Sequence, residues 1–193
     1  HANPCGVSSN KSPIQSFKNS QASDPISAFG GIVACNFKIN QGLALEINKT
    51  FFEVIMAKGF DKKALKIFKK RKNMRIIDIS KFKGNNNIST KNFDGSFLLQ
   101  DKDMVVYNQN KLKFVTKIKP TSAEIKQIEF AFRVCKFIKS NAIVIVKDYS
   151  TIGIGAGQQN RLDSCKIATE KAKKFQPKKL LNSIAASDAF FPF

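Results

Sequence analysis

The chain has 193 residues, with 33 Lys or Arg against 14 Asp or Glu, which gives a formal net charge of +19 at pH 7. This length supports one large domain or two small ones with a sizeable apolar core. No apolar run approaches the roughly 20 residues that a membrane-spanning helix needs, so the sequence excludes such a span.

The strongly basic charge has two interpretations. A surplus of lysine attracts anions, either nucleic acid or small phosphorylated and carboxylated ligands. Alternatively, the abundance of Lys, Asn, Ile and Phe reflects an AT-rich genome, and the charge then has no specific partner. The lysines are scattered and no helix-turn-helix, zinc-finger or RNP motif is present, which argues against specific nucleic-acid binding.

The cysteines lie far apart in sequence and form no Cys-x-x-Cys pair: Cys5, Cys35, Cys135 and Cys165. A chain of this length does not need disulfides for stability, so the spacing is typical of a reducing compartment. We therefore expect a cytoplasmic protein. Because the chain begins at His1 and ends on the apolar stretch 189–193, we also expect an internal fragment of a longer protein.

The first half of the chain alternates short apolar runs with helical segments, a pattern typical of an α/β fold. The apolar runs predict strands at 31–36, 52–57 and 75–79. Helices are expected at 41–48 and after Asp61, a residue type that commonly caps a helix N-terminus.

The second half begins with the polar stretch 80–94, which predicts a loop or a subdomain boundary. Strands are expected at 96–100 and 112–118. Thr121 and Glu124 form a capping-box pattern, which predicts a helix that ends near Ser140. A β-hairpin follows at 142–146 and 151–154, and Arg161 begins a last helix of about fourteen residues.

Three glycines lie between the last predicted strand and the last predicted helix: Gly153, Gly155 and Gly157. Glycines before a helix N-terminus can bind phosphate, but the G-x-G-x-G spacing is not the dinucleotide-binding fingerprint and argues against a Rossmann domain. We expect a tight turn that brings Arg161 to a ligand, with a purely structural turn and a solvated Arg161 as the alternative. A cation at the helix N-terminus opposes the helix dipole, which favours a functional use of Arg161.

His1 is the single histidine, and its ordinary pKa near neutrality suits proton transfer. Zinc deaminases combine H-x-E or C-x-E with P-C-x-x-C. Pro4 and Cys5 have no second cysteine at that spacing, so we expect no catalytic metal. A Cys5 nucleophile activated by His1 stays open, although a cysteine in this setting is more often simply packed.

More specific motifs occur in order along the whole chain, at 1–7 (HANPCGV), 24–32 (DPISAFGGI), 52–57 (FEVIMA), 140–147 (SNAIVIVK), 152–164 (IGIGAGQQNRLDS) and 186–193 (ASDAFFPF). Together they resemble one family, the AICAR transformylase (phosphoribosylaminoimidazolecarboxamide formyltransferase) domain of the bifunctional purine biosynthesis enzymes, which also carry IMP cyclohydrolase. The stretch 81–119 has no recognised motif and is expected to be the variable part.

The resemblance implies transfer of a formyl group from 10-formyltetrahydrofolate to the exocyclic amine of AICAR, giving FAICAR in de novo IMP biosynthesis without a catalytic metal. His1 would be the catalytic general base, and Leu162 would face the folate. The residues that would bind AICAR are Gly30, Glu53, Asn141, Arg161 and Phe190. These residue types fit the chemistry, because a weakly nucleophilic amine needs proton removal during attack and the tetrahedral intermediate needs stabilisation of its oxyanion.

The same resemblance implies a layered α/β/α fold, like that of cytidine deaminases but without zinc, and a cytoplasmic homodimer whose site is shared between subunits. Residues 1–193 would be a partial transformylase domain with a subdomain boundary or variable loop at 80–95. The IMP cyclohydrolase domain, the C-terminal part and the lysine that precedes the family's histidine would lie outside this chain. We expect the fragment alone to lack activity.

Two other functional classes remain as alternatives: a basic nucleic-acid-binding α/β module and a zinc-dependent deaminase-like hydrolase. A metal retained through purification would favour the hydrolase. A steep loss of duplex binding with salt, without stabilisation by AICAR, would favour the nucleic-acid module.

Overall fold

The computed structural model describes residues 3–84, 87–104 and 107–189. These residues form a mixed α/β structure, which confirms the predicted α/β class. The helices are α1 Pro13–Ser23, α2 Pro25–Ala28, α3 Gln41–Ile47, α4 Lys62–Phe68, α5 Ser122–Cys135, α6 Arg161–Phe175 and α7 Pro177–Leu180. The strands are β1 Ile32–Cys35, β2 Val54–Ala57, β3 Arg75–Asp78, β4 Ile88–Phe93, β5 Ser96–Asp101, β6 Ile143–Lys147, β7 Ser150–Gly155 and β8 Ile184–Ser187.

The first half forms a parallel sheet in the order β1-β2-β3, with α3 and α4 as the connections. Both helices begin at a side-chain cap: Asn40 Oδ1 accepts from Leu43 N at 3.0 Å, and Asp61 Oδ1 accepts from Ala64 N at 2.6 Å. The core of this half is built from α1, α3, α4 and β2. The strands and helices predicted here from hydrophobic pattern are confirmed.

The predicted loop at 80–94 is wrong for its second half, because β4 occupies Ile88–Phe93 and pairs antiparallel with β5. Asp94 and Gly95 form the two-residue turn, both with positive φ (38° and 80°), the backbone that a tight hairpin requires. An Asp-Gly pair between two potential strands is a hairpin signal rather than a loop signal.

The strand predicted at 112–118 is also wrong. A short 3-10 helix, Gln109–Lys111, precedes this segment, and no strand forms within it. Val115 and Ile118 are almost fully exposed, so the apolar run has no sheet to join. Helix α5 starts at the predicted capping box but ends at Cys135, five residues before the predicted end at Ser140.

The second half forms an antiparallel sheet in the order β7-β6-β8, covered by a helix on each face. Side chains of β6 alternate between the two faces: Val144 and Val146 pack in the cluster that contains α5, and Ile143 and Ile145 pack in the cluster that contains α6. The sheet is therefore the middle layer of a helix–sheet–helix arrangement.

Helix α1, which the sequence analysis did not predict, joins the two halves. It begins at the N-cap Ser12, with Pro13 in its first turn, and packs against α3 on one side and β7 on the other. The buried Asp24, just after α1, forms an ion pair with Lys171 of α6 at 2.7 Å. In the described part of the chain, none of the helices is long and apolar enough to cross a membrane.

Candidate active site

The polar cluster around Arg161 is the most strongly connected of the predicted site groups. Arg161, the first residue of α6, is only 8% exposed. Its Nη1 donates to Ser187 Oγ at 2.7 Å, to the Ala142 carbonyl at 3.5 Å and to the carboxylate of Asp188, with which it forms an ion pair. Its Nη2 donates to Asn141 Oδ1 at 2.9 Å. The alternative of a solvated Arg161 is therefore wrong, because the guanidinium is buried among acceptors.

Asp188 follows β8 directly and contacts two other elements. Besides the Arg161 guanidinium, its Oδ1 accepts from the Ala142 backbone N–H at 3.0 Å. Burial alone would raise the pKa of this carboxyl. Hydrogen bonds from Ser140 and Ala142 and the charge of Arg161 outweigh burial, and together they lower the pKa of Asp188 from 3.8 to about 2. The carboxylate is therefore fully ionised near neutral pH.

Asn141 is fixed at both ends of its side chain. Its Oδ1 accepts from Arg161, and its Nδ2 donates to the carbonyls of Gln158 at 2.9 Å and Gln159 at 3.1 Å. Its backbone carbonyl accepts from Ser164 Oγ at 2.6 Å. The structure thus brings together two of the residues that the resemblance implies in AICAR binding, Asn141 and Arg161.

The glycines near this cluster do not form the single tight turn expected from the sequence. Gly153 and Gly155 lie inside β7, where a Cβ would approach the backbone oxygens of Ala168 and Ser164 to 2.0 Å and 1.8 Å. Gly157, with φ of +68°, lies in the turn. The first two glycines therefore allow close packing of α6 on β7, which sets the position of Arg161 at the start of that helix.

The segment that follows His1 runs beside the same cluster. Asn3 Oδ1 accepts from the backbone N–H of Lys139 at 2.7 Å, and the Lys139 carbonyl accepts from Gly157 N at 2.9 Å. Further along, Val7 N donates to Thr151 Oγ1 and Thr151 N donates to the Val7 carbonyl, both at 2.9 Å. Asn3 thus contacts the residue that lies two positions before Asn141 in the chain.

Gly30 and Glu53 lie together at the amino ends of β1 and β2, in the parallel sheet rather than in the Arg161 cluster. Gly30 has φ of +69°, which favours glycine, and its N–H donates to the Phe51 carbonyl at 2.9 Å. Glu53 N donates to the Gly31 carbonyl at 3.1 Å, and Glu53 is exposed. The four predicted AICAR residues that the structure describes therefore form two groups, one next to the parallel sheet and one next to the antiparallel sheet.

The remaining predicted residues have less structural support. Leu162 follows Arg161 on α6 and is 48% exposed. His1 and Phe190 lie outside the described residues. Burial raises the pKa of the Cys5 thiol, and the Asp24 charge raises it further, which disfavours the thiolate that a Cys5 nucleophile would need.

The four cysteines are free thiols. Among residues 3–84, 87–104 and 107–189, no group of three or more His, Cys, Asp or Glu side chains is arranged to hold a metal ion.

Asp188 in the cluster and Asn3 beside it received no role in the sequence analysis. Both are short polar residues within the motifs that carry the resemblance. Asp188 directly follows β8, and Asn3 lies in the same motif as the predicted site residue His1. Such positions often carry function, but their partners, Arg161 and Lys139, are far away in sequence, so only the fold could identify the contacts.

Comparison with known proteins agrees with the motifs. The family model described as AICARFT/IMPCHase bienzyme matches residues 1–171. Curated relatives named "Bifunctional purine biosynthesis protein PurH" include those of Prochlorococcus marinus (strain MIT 9515), 44% identical over 195 residues, Trichodesmium erythraeum, 42% over 193 residues, and Aquifex aeolicus, 44% over 193 residues. Each alignment covers 100% of this chain and 37% of the relative's length. The chain therefore belongs to the AICARFT/IMPCHase bienzyme family.

Proposed function

We propose that the protein carrying this chain transfers a formyl group from 10-formyltetrahydrofolate to AICAR, giving FAICAR in de novo purine biosynthesis, and that it also has IMP cyclohydrolase activity. The observation that carries the proposal is the family match over residues 1–171, which includes His1, Gly30, Glu53, Asn141 and Arg161. Because the chain spans 37% of its relatives' length, the activity is assigned to the complete gene product.

The chemistry requires a base, a means of orienting the nucleotide and stabilisation of negative charge. The AICAR amine is a poor nucleophile, so His1 removes its proton as it attacks the formyl carbon. The carbonyl oxygen becomes an oxyanion in the tetrahedral intermediate and needs fixed donors. Asn141 and Arg161 are suited to substrate binding because hydrogen bonds within the protein hold their side chains in one orientation.

The two groups of predicted residues suit a shared site. Gly30 and Glu53 lie at the amino ends of parallel strands, whereas Asn141, Arg161 and Leu162 lie at the Arg161 cluster. In the proposed homodimer, one group from each subunit contributes to the same AICAR and folate site. The cytidine-deaminase-like layering is part of this proposal, supported by α5 and α6 on opposite faces of the antiparallel sheet.

The alternatives have less support. Neither a nucleic-acid-binding module nor a deaminase-like hydrolase is favoured by the family match. The cytoplasmic location, the inactivity of the chain alone and the domain boundary at 80–95 stay predictions.

The test is a formyl-transfer assay on the complete gene product. Purified protein, AICAR and 10-formyltetrahydrofolate should give FAICAR and tetrahydrofolate in equal amounts, as resolved by chromatography. His1→Ala is the matched inactive variant. If the folded protein consumes no 10-formyltetrahydrofolate in the presence of AICAR, the proposal is wrong.

A further inference from the structure

The orientation of a buried arginine depends on the groups that accept its hydrogen bonds. A guanidinium is planar and has five N–H donors, so acceptors in its plane fix the direction of the remaining donors. Among the described residues, four groups accept hydrogen bonds from Arg161, and they belong to Asn141, Ala142, Ser187 and Asp188. Of these, only Asp188 carries a charge.

Asp188 also connects the guanidinium to the rest of the fold. The same oxygen that accepts from Arg161 accepts from the Ala142 backbone N–H at 3.0 Å, at the start of β6. Asp188 itself directly follows β8. One carboxylate therefore holds together the start of α6, the start of β6 and the end of β8.

The other acceptors are weaker candidates for this task. The Ala142 carbonyl lies 3.5 Å from Nη1, at the limit of a hydrogen bond, and Ser187 Oγ is neutral. Hydrogen bonds to an ionised acceptor are roughly twice as strong as neutral ones. The charge of Asp188 thus contributes most to the orientation of Arg161.

We propose that Asp188 is the positioning residue that holds Arg161, and through it Asn141, in the orientation needed for AICAR binding. Asp188 acts through Arg161 and does not itself contact the substrate. The part of this inference that concerns AICAR rests on the proposed function, whereas the orientation of Arg161 does not.

The test compares Asp188→Asn with Asp163→Asn in the complete gene product. Asparagine keeps an oxygen for the Ala142 N–H but removes the charge. Asp163 is a matched control, since it lies two residues from Arg161 on the same helix but pairs with Asn160 and Lys166. We expect Asp188→Asn to lower kcat/KM for AICAR by about 10- to 100-fold, mainly through KM, and Asp163→Asn to change it by less than about threefold.

A double-mutant cycle separates positioning from general damage to the fold. If Asp188 acts through Arg161, Asp188→Asn should cost less than about threefold when Arg161 is already alanine, which has no donor for Asp188 to hold. Full additivity of the two losses, or a loss that follows the fall in thermal midpoint, would overturn the proposal.

Crystal structures of both variants give a readout that does not depend on activity. A displaced Arg161 guanidinium in Asp188→Asn, and an unmoved one in Asp163→Asn, supports the proposal. An unmoved guanidinium in Asp188→Asn overturns it. If the wild type proves inactive with AICAR, the proposed function fails, and these structures alone decide whether Asp188 positions Arg161.

Discussion

Gly155 lies where β7 contacts the first turns of α6, and adding a methyl group there should separate the two elements. A Cβ at this position would lie 1.8 Å from the Ser164 carbonyl oxygen, about 1.6 Å closer than the shortest ordinary contact of 3.4 Å. That oxygen belongs to the helix backbone, so no side-chain rotation relieves the overlap. Overpacking of a buried site costs typically 1–3 kcal/mol, and for Gly155→Ala we expect about 3 kcal/mol because the whole helix must shift.

Hydrogen exchange of the complete gene product, read by mass spectrometry on peptides from β6 and β7, measures this cost locally. A loss of about 3 kcal/mol in the free energy of local opening raises the equilibrium constant for opening by about 100-fold. The exchange rate of these amides rises by the same factor. Gly157→Ala is the control, because its Cβ would meet no atom within 4 Å and only the backbone φ of +68° is strained. That strain costs about 1–2 kcal/mol.

A displaced α6 also moves Arg161, so Gly155→Ala should reduce formyl transfer more than Gly157→Ala does. The reasoning is refuted if amides of β6 and β7 exchange no faster in Gly155→Ala than in Gly157→Ala. In that case the close approach of β7 and α6 does not constrain the fold.

Three further outcomes follow from the site. His1→Ala should lower kcat for formyl transfer by a factor on the order of 100 to 10,000, the usual contribution of a positioned general base, with a smaller change in substrate binding; unchanged turnover would exclude that role. Arg161→Lys keeps the charge but loses the planar fork, so calorimetric affinity for AICAR or folate should fall well beyond the effect on thermal midpoint, and equal affinities would reject the assignment. Because the pKa of Asp188 is lowered from 3.8 to about 2, its ionisation stabilises the fold fully above about pH 4, and this contribution is lost as the pH falls to about 2. The advantage of the wild type over Asp188→Asn in urea midpoint should therefore shrink over that interval, and a constant difference would contradict the lowered pKa.

The elements that could be predicted from sequence are those with strong local signals. Thr121 and Glu124 form a capping box that depends only on residues three apart, and it is present in the structure. Apolar runs such as Val54–Ala57 predict a strand, and in the structure Ile55 and Ala57 of this run are fully buried. Local signals therefore predicted the start of α5 and the individual strands of the parallel sheet, but not their order or direction.

The errors occurred where the outcome depends on a partner. The apolar segment 112–118 has the composition of a strand, but a strand needs an edge with which to pair, and this segment has none within the described residues. Conversely, the polar residues of β4 form a strand because the turn at Asp94 and Gly95 brings β5 alongside. Hydrophobic pattern alone cannot supply this information, although the Asp-Gly pair is a local signal for the hairpin.

The candidate site likewise has features that the sequence predicted and features that only the structure shows. The sequence motifs that contain Asn141 and Arg161 led to the prediction that both bind substrate. The hydrogen bond between the two side chains was not predicted. The roles of Gly153 and Gly155 were misjudged, because a strand glycine that admits a helix backbone has the same local sequence as a turn glycine. Asp188 was overlooked because it lies 27 residues from Arg161.

The position of Arg161 at a helix N-terminus favoured a functional use in the sequence analysis, because a cation there opposes the helix dipole by about 0.3–1 kcal/mol. In the structure, the carboxylate of Asp188 faces the guanidinium of Arg161. This ion pair offsets part of the unfavourable interaction between the Arg161 charge and the helix dipole. The ion pair, however, does not involve every donor of the guanidinium. Toward the described residues, Nη1 and Nη2 donate hydrogen bonds and Nε does not. A guanidinium whose other donors are fixed suits recognition of an acceptor such as a carboxamide or a phosphate oxygen. The contacts that bury Arg161 are compatible with the binding role proposed for it, so the structural and binding roles do not exclude each other.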